Sequence, residues 1–185
     1  MQAIRKAKAF TLIELLIVVA IIAVLALIAV PNFLEAQVRA KVGRAWTDIR
    51  SQRTALEAYR LDNDAYPRSA NVPLQPRLSE LSTPISYITS CPKDPFFSGL
   101  KQGVPWAPGP YYHYVSATDE MDWLPRDWRS YMYGAEFMDD STKRFPVVIQ
   151  WHIRSMGPNG GFDYGVRYDP TNGTVSVGDI CVFGP

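Results

Sequence analysis

RKAKAFTLIELLIVVAIIAVLALIAVP, Arg5 to Pro31, decides how the rest of the chain is read. A short basic leader runs into an apolar stretch that only Thr11 and Glu14 interrupt and Pro31 closes. Phe10 to Val30 would make roughly 30 Å of helix at ~1.5 Å per residue, about one hydrocarbon core. A cleaved secretory signal has a shorter apolar core with a small-x-small site after it. Leu27-Ile28-Ala29 lacks that pattern, and Pro31 follows closely. The segment therefore reads as a membrane anchor, Phe10 to Val30.

Charge orients the anchor. The chain of 185 residues carries a net +1, which gives no basic surface for nucleic acid. Arg5, Lys6 and Lys8 are the charged residues of the first nine; beyond them 16 of the 19 basic residues face 18 acidic ones. Positive charge beside one end of a span keeps that end cytoplasmic, so the remainder is expected outside.

Glu14 is the odd residue, because a carboxylate inside a spanning helix is costly. Two accounts are open. Thr11-Leu12-Ile13-Glu14 has the T-x-x-E spacing of a capping box, so Glu14 would satisfy backbone donors at the helix start. Alternatively, Glu14 pairs with a positive charge when subunits pack. Pro31 removes the backbone bond to the Leu27 carbonyl and bends or loosens the helix there.

Lys8 to Phe33, KAFTLIELLIVVAIIAVLALIAVPNF, closely resembles the N-terminal segment of type IV pilins and type II secretion pseudopilins. The resemblance implies cleavage by a prepilin peptidase between Ala9 and Phe10 on the cytoplasmic side. It also implies N-methylation of Phe10, an assembly role for Glu14 against the terminal amine of a neighbour, and a helix hinge at Pro31. The family has Gly before the cut where this chain has Ala9, the next smallest residue. An amine with an ordinary pKa of about 8 is positive, and a carboxylate one turn along leaves less uncompensated charge in apolar surroundings.

After Pro31 the apolar residues become periodic. Leu34, Val38, Val42, Trp46, Ile49, Leu56 and Tyr59 mark one face of an amphipathic helix, with Arg39, Lys41 and Arg44 on a solvated face. The helix is expected to end near Asp62, before Asn63-Asp64-Ala65-Tyr66-Pro67. Three parts follow: a leader at 1–9 that is removed, a long helix at 10–64 with 10–30 transmembrane, and a globular α+β head at 65–185.

In the head, Leu78 to Ile88 is expected to hold a short helix broken by Pro84. Strands are expected at Tyr111–Ala117, Ser130–Tyr133, Val147–Ile153, Phe162–Tyr168 and Thr174–Phe183. Asp169-Pro170-Thr171-Asn172-Gly173 should turn the last two into a hairpin. Strands joined by turns imply an antiparallel sheet. Packed on the long helix, it gives the α+β lollipop that the resemblance also implies.

The head carries many aromatic residues: Trp106, Tyr111, Tyr112, Tyr114, Trp123, Trp128, Tyr131, Tyr133 and Trp151. Sheet core and loop anchoring account for them, with a ligand-binding surface as the alternative. His113 and His152 fall in expected strands, without a GxSxG or H-E-x-x-H motif. The chain reads as a structural protein and not an enzyme, with no cofactor. Ser155 to Gly161, with Gly178-Asp179-Ile180, resembles in part the C-terminal loop that holds calcium in some major pseudopilins. Asn159, Asp163 and Asp179 could supply oxygens, yet the denser acidic pattern is missing, so a plain Gly-rich turn is the first reading. Cys91 and Cys181 form either a disulfide outside the cell or two separate buried thiols.

The expected function is a filament subunit, first a type II secretion pseudopilin supporting export. The alternatives are a surface type IV pilin (adhesion, motility or DNA uptake) and a monomeric membrane-tethered binding module. Expected partners are other pilin-like subunits, the prepilin peptidase, the inner-membrane assembly machinery and the lipid bilayer.

Overall fold

Helix α1 runs from Leu12 to Asn63, 52 residues. The computed structural model describes residues 10–68, 78–97, 99, 109–116, 150–161, 163, 166–171 and 176–185. Leu, Ile, Val and Ala carry the first turns of α1, and the helix continues through Pro31. Its end is built locally. Asp64 takes a left-handed conformation at φ 54°, and its N–H donates to the Arg60 carbonyl at 2.8 Å. Asn63 Nδ2 caps the Tyr59 carbonyl at 2.8 Å. Asp and Asn tolerate these positions because their short side chains bond locally. The expected end near Asp62 is one residue short.

The chain divides into two compact units, one up to Gln37 and the other from Val38 to Pro185. In the first unit the apolar side chains of α1 are exposed, Leu12 at 87% and Leu27 at 78%. In the second, Ala45, Ile49, Gln52, Ala55 and Leu56 are buried, with Val38, Val42, Trp46 and Tyr59 packed beside them. Steps of three and four put these on one stripe. Leu34, expected on that stripe, is exposed instead.

The second unit is α+β. Strands β1 (His113–Ser116), β2 (Trp151–Ser155) and β3 (Ile180–Gly184) form a sheet in the order β1-β2-β3. Both pairings are antiparallel, with Tyr114 opposite Ile153 and Ile153 opposite Val182. The central strand β2 is buried along its length. Trp151, Tyr114, Ile153 and Ile180 share one hydrophobic cluster with Ile49 and Leu56 of α1 and with Tyr66, Leu78, Leu81 and Phe96. Tyr112 Oη donates to Asp48 Oδ2 at 2.9 Å, and Tyr114 Oη to the Pro67 carbonyl at 2.9 Å, fastening sheet to helix and to the chain leaving it. Burial and the Asp48 carboxylate push the Tyr112 hydroxyl above the usual phenol range. Gly184 faces the Trp151 indole, and a Cβ there would collide with the ring.

Several expected elements differ. Leu78 to Ile88 holds only a single 3-10 turn, Ser79–Leu81, after which Tyr87 and Ile88 N–H groups both donate to the Leu81 carbonyl. Tyr111 makes an isolated bridge to Lys93 rather than joining β1. The expected strand at Val147–Ile153 is observed from Trp151 and runs on to Ser155; 147–149 and Ser130–Tyr133 lie outside the described residues. The hairpin is corrected. Arg167 and Asp179 form one parallel bridge, with the Tyr168 N–H donating to the Asp179 carbonyl and the Asp179 N–H to that of Val166. The last strand begins only at Ile180 and pairs with β2, Ile180 opposite Ser155 and Val182 opposite Ile153, which puts Ile180 in the core and packs Val182 against it.

Candidate functional site

Two places hold the candidate residues. The first is the start of α1. Glu14 N donates to Thr11 Oγ1 at 3.3 Å, while Thr11 N and Thr11 Oγ1 donate to Glu14 Oε2 at 2.9 and 2.8 Å. This is a reciprocal capping box, and it satisfies orphan donors at the helix start. The local account of Glu14 is thus realised within a single chain. Phe10, beside it, is 72% exposed, and Ala9 lies outside the described residues.

From Phe10 to Leu34 the large apolar side chains all face outward. The first half of α1 is long and apolar enough to cross a membrane. At roughly 25 cal/mol per Å² of exposed apolar area, such a surface demands lipid or other helices around it. Pro31 sits inside the helix and has no N–H for the Leu27 carbonyl, which weakens the ladder near the junction of the two units.

The second place is the C-terminal loop of the head. Asn159, Asp163 and Asp179 are indeed brought together. Asp163 N donates to Asp179 Oδ1 at 3.1 Å, Gly178 N to Asp163 Oδ2 at 3.0 Å, and Asn159 Nδ2 to the same Asp163 oxygen. Gly161 N donates to Asn159 Oδ1 at 3.3 Å. Arg154, buried on β2, adds Nη1 to Asp179 Oδ2 at 3.2 Å. Burial is the main influence on Asp179 and pushes its carboxyl up to about 6, against the opposing pull of Arg154. Gly157 (φ +66°) and Gly178 (φ +126°) let two backbones approach where a Cβ on Gly157 would strike the Gly178 carbonyl.

That donor set does not fit calcium, which needs six to eight oxygens. Three of the four carboxylate oxygens already accept N–H bonds, Asn159 offers its amide hydrogens rather than its oxygen to Asp163, and a guanidinium stands against Asp179. Among the described residues no group of three His, Cys, Asp or Glu side chains could hold a metal ion.

Other candidates resolve into structure. His113 and His152 stack with ring centres 5.8 Å apart on neighbouring strands. Tyr112, Tyr114 and Trp151 belong to the core, and Tyr111 is half-buried; Trp106, Trp123, Trp128, Tyr131 and Tyr133 lie outside the described residues. Cys91 and Cys181 are both half-buried and are not bonded to each other in this structure. Cys91 faces the Leu78 carbonyl, while Cys181 sits opposite Arg154 in the β2–β3 ladder. Burial pushes the Cys91 thiol up.

One important residue has no sequence signal. Asp94 is buried, and its carboxylate accepts from Phe96 N (2.9 Å), Ser155 Oγ (2.8 Å) and Met156 N (2.9 Å), tying a loop turn to the end of β2. Its partners at β2 lie some 60 residues away, beyond any local pattern.

Comparison with known proteins follows the same division. A model of the prokaryotic N-terminal methylation motif matches residues 4–30, and one of type II secretion system (T2SS) protein G matches residues 32–120. The type II secretion system core protein G of Vibrio cholerae is 36% identical over 103 residues, 52% of this chain and 70% of that protein. The core protein G of Pseudomonas aeruginosa is 32% identical over 123 residues, 62% of this chain and 86% of that protein. The type IV major pilin protein PilA of Myxococcus xanthus is 47% identical over 64 residues, 35% of this chain and 29% of that protein. No solved structure matches significantly. With an apolar, capped N-terminal helix whose later half packs on an antiparallel sheet, the chain belongs to the type II secretion pseudopilin and type IV pilin family.

Proposed function

We propose that the chain is a filament subunit of a type II secretion pseudopilus and supports export of folded proteins. The observation that carries this is the reach of the similarity. The match to the Myxococcus pilin spans 64 residues and 29% of that protein, whereas the match to the Pseudomonas core protein G spans 123 residues and 86% of it. Similarity that extends beyond a membrane segment common to both kinds of subunit favours the secretion branch.

In this reading the peptidase cuts between Ala9 and Phe10, Phe10 is N-methylated, and the apolar face from Phe10 to Leu34 passes from lipid into a bundle of neighbouring helices. The chain sits in the inner membrane by one span, with its leader cytoplasmic and its head outside. Its partners are other subunits, the peptidase and the inner-membrane assembly machinery. Glu14 meets the terminal amine of a neighbour, and Pro31 lets the membrane half of α1 adjust to the bundle.

Deletion of the gene in its host tests the assignment. Exported enzymes should accumulate in the periplasm while sheared surface pili are unchanged. Normal export with loss of surface pili would move the chain to the type IV pilins. Intact mass of the protein from its own membrane should show loss of Met1–Ala9 and gain of one methyl group.

A further inference from the structure

We infer that an internal cation, the Arg154 guanidinium, holds the C-terminal loop of this head in place, and that the loop folds without calcium. Where the family's C-terminal loop suggests a metal, this chain has met the same electrostatic need with a side chain. Arg154 is 3% exposed and is paired with Asp179, also 3% exposed. Two buried opposite charges in contact compensate each other, whereas either alone would be uncompensated, so of the loop's two carboxylates only the half-buried Asp163 keeps an unbalanced charge.

The remaining geometry points the same way. Backbone N–H groups of Asp163 and Gly178 are aimed at the carboxylate oxygens of Asp179 and Asp163. A divalent ion seated among those oxygens would confront the positive ends of the same N–H dipoles. The far side of the guanidinium also has a neighbour: Arg154 Nη2 lies 3.4 Å from His152 Nε2. A guanidinium only donates, so this contact places the ring nitrogen to accept from it. Arg154 thus links the buried middle of β2 to the strand entry at Asp179. Through Asp179 and Asp163 it reaches the Gly157–Gly161 turn.

The consequence is a subunit whose head keeps its fold when external calcium changes. Thermal unfolding of the full-length protein in detergent, followed by tryptophan fluorescence, tests this. Wild type should melt at one temperature in excess EDTA and in about 10 mM calcium, a concentration well above the weakest extracellular calcium sites. A site held at about a hundred times its dissociation constant would instead raise the midpoint by roughly 5–10 °C in a chain of this size. Such a rise, or a fall with EDTA, overturns the inference. Arg154→Met should lower the midpoint by roughly 6–20 °C, and Arg154→Lys by less, because it keeps the charge but not the planar fork. A wild-type midpoint in Arg154→Met would also overturn it. If Arg154→Met does not fold, the wild-type comparison still decides.

Discussion

Asp94 offers the sharpest test of how the head is held together. Its carboxylate is buried and accepts three hydrogen bonds, two at Oδ1 from Phe96 N and Ser155 Oγ and one at Oδ2 from Met156 N. Asp94→Ala leaves those three donors without an acceptor. A buried donor so stranded costs about 1–3 kcal/mol, and the Ser155 hydroxyl can rotate to another partner, so the sum is roughly 3–5 kcal/mol. Asp94→Asn behaves differently. Its carbonyl keeps the Oδ1 bonds, and its amide faces the Met156 N–H, so one donor is lost, about 1–3 kcal/mol. Burial also holds the Asp94 carboxyl above the usual carboxylate range. Replacing a penalised charge with a neutral amide offsets part of that loss and puts Asp94→Asn near the lower end.

At about 2–4 °C per kcal/mol for a chain of this length, Asp94→Ala should lower the melting midpoint by roughly 6–20 °C and Asp94→Asn by a few degrees. Tryptophan fluorescence on the full-length protein in detergent is the assay. It reports on Trp151 in the core, whereas far-ultraviolet circular dichroism would be dominated by the detergent-embedded helix. Equal destabilisation by the two variants would refute the bond count, because it would mean that the charge itself matters. No change in Asp94→Ala would refute the role of the residue.

Three further outcomes are expected. Glu14→Gln, which can still form a capping box, should insert normally but fail to assemble filaments, whereas Thr11→Val should assemble; filaments of wild-type abundance from Glu14→Gln would favour capping as the whole role. Gly184→Ala should destabilise the head by about 1–3 kcal/mol through overpacking against Trp151, read as a lower midpoint, and a neutral result would show that the indole can move aside. Both cysteines should be alkylated in the denatured, unreduced protein. In the native state Cys91 should react slowly near pH 7 and faster as pH rises, because burial raises its thiol; a mass lower by two hydrogens with no alkylation would show a disulfide instead.

What could be read in advance follows the distance over which each feature is decided. The capping box needs four consecutive residues, Thr11 to Glu14, and the helix end needs Asn63 and Asp64 with Pro67 behind them. These are local and were legible. The turn at Asp169 was also local, and its chemistry is present: Thr171 N and Oγ1 both donate to Asp169 Oδ1, at 2.8 and 2.7 Å. The pairing that the turn suggested is not local. A turn fixes which residues reverse direction, whereas the partner of a strand is fixed by which edge buries its alternate side chains. Ile180 and Val182 found that edge on β2, so Arg167 and Asp179 were left with a single parallel bridge. Arg154 was illegible for the same reason, since its partner is 25 residues away.

The two accounts of Glu14 are compatible, and the geometry says how. Both donors from Thr11 converge on one oxygen, Oε2. Those donors are neutral, so the box orients the carboxylate without cancelling its charge. A lone chain therefore carries an oriented negative charge one helical turn from Phe10, amid exposed apolar side chains. Such a charge is unfavourable in hydrocarbon until a positive group arrives, and under the proposed cleavage the amine released at Phe10 of a neighbour would be such a group. Capping then supplies the orientation, and under the proposed function assembly would supply the partner. A glutamine holds the orientation and lacks the charge, which is why Glu14→Gln, and not the loss of the Thr11 hydroxyl, separates the two contributions.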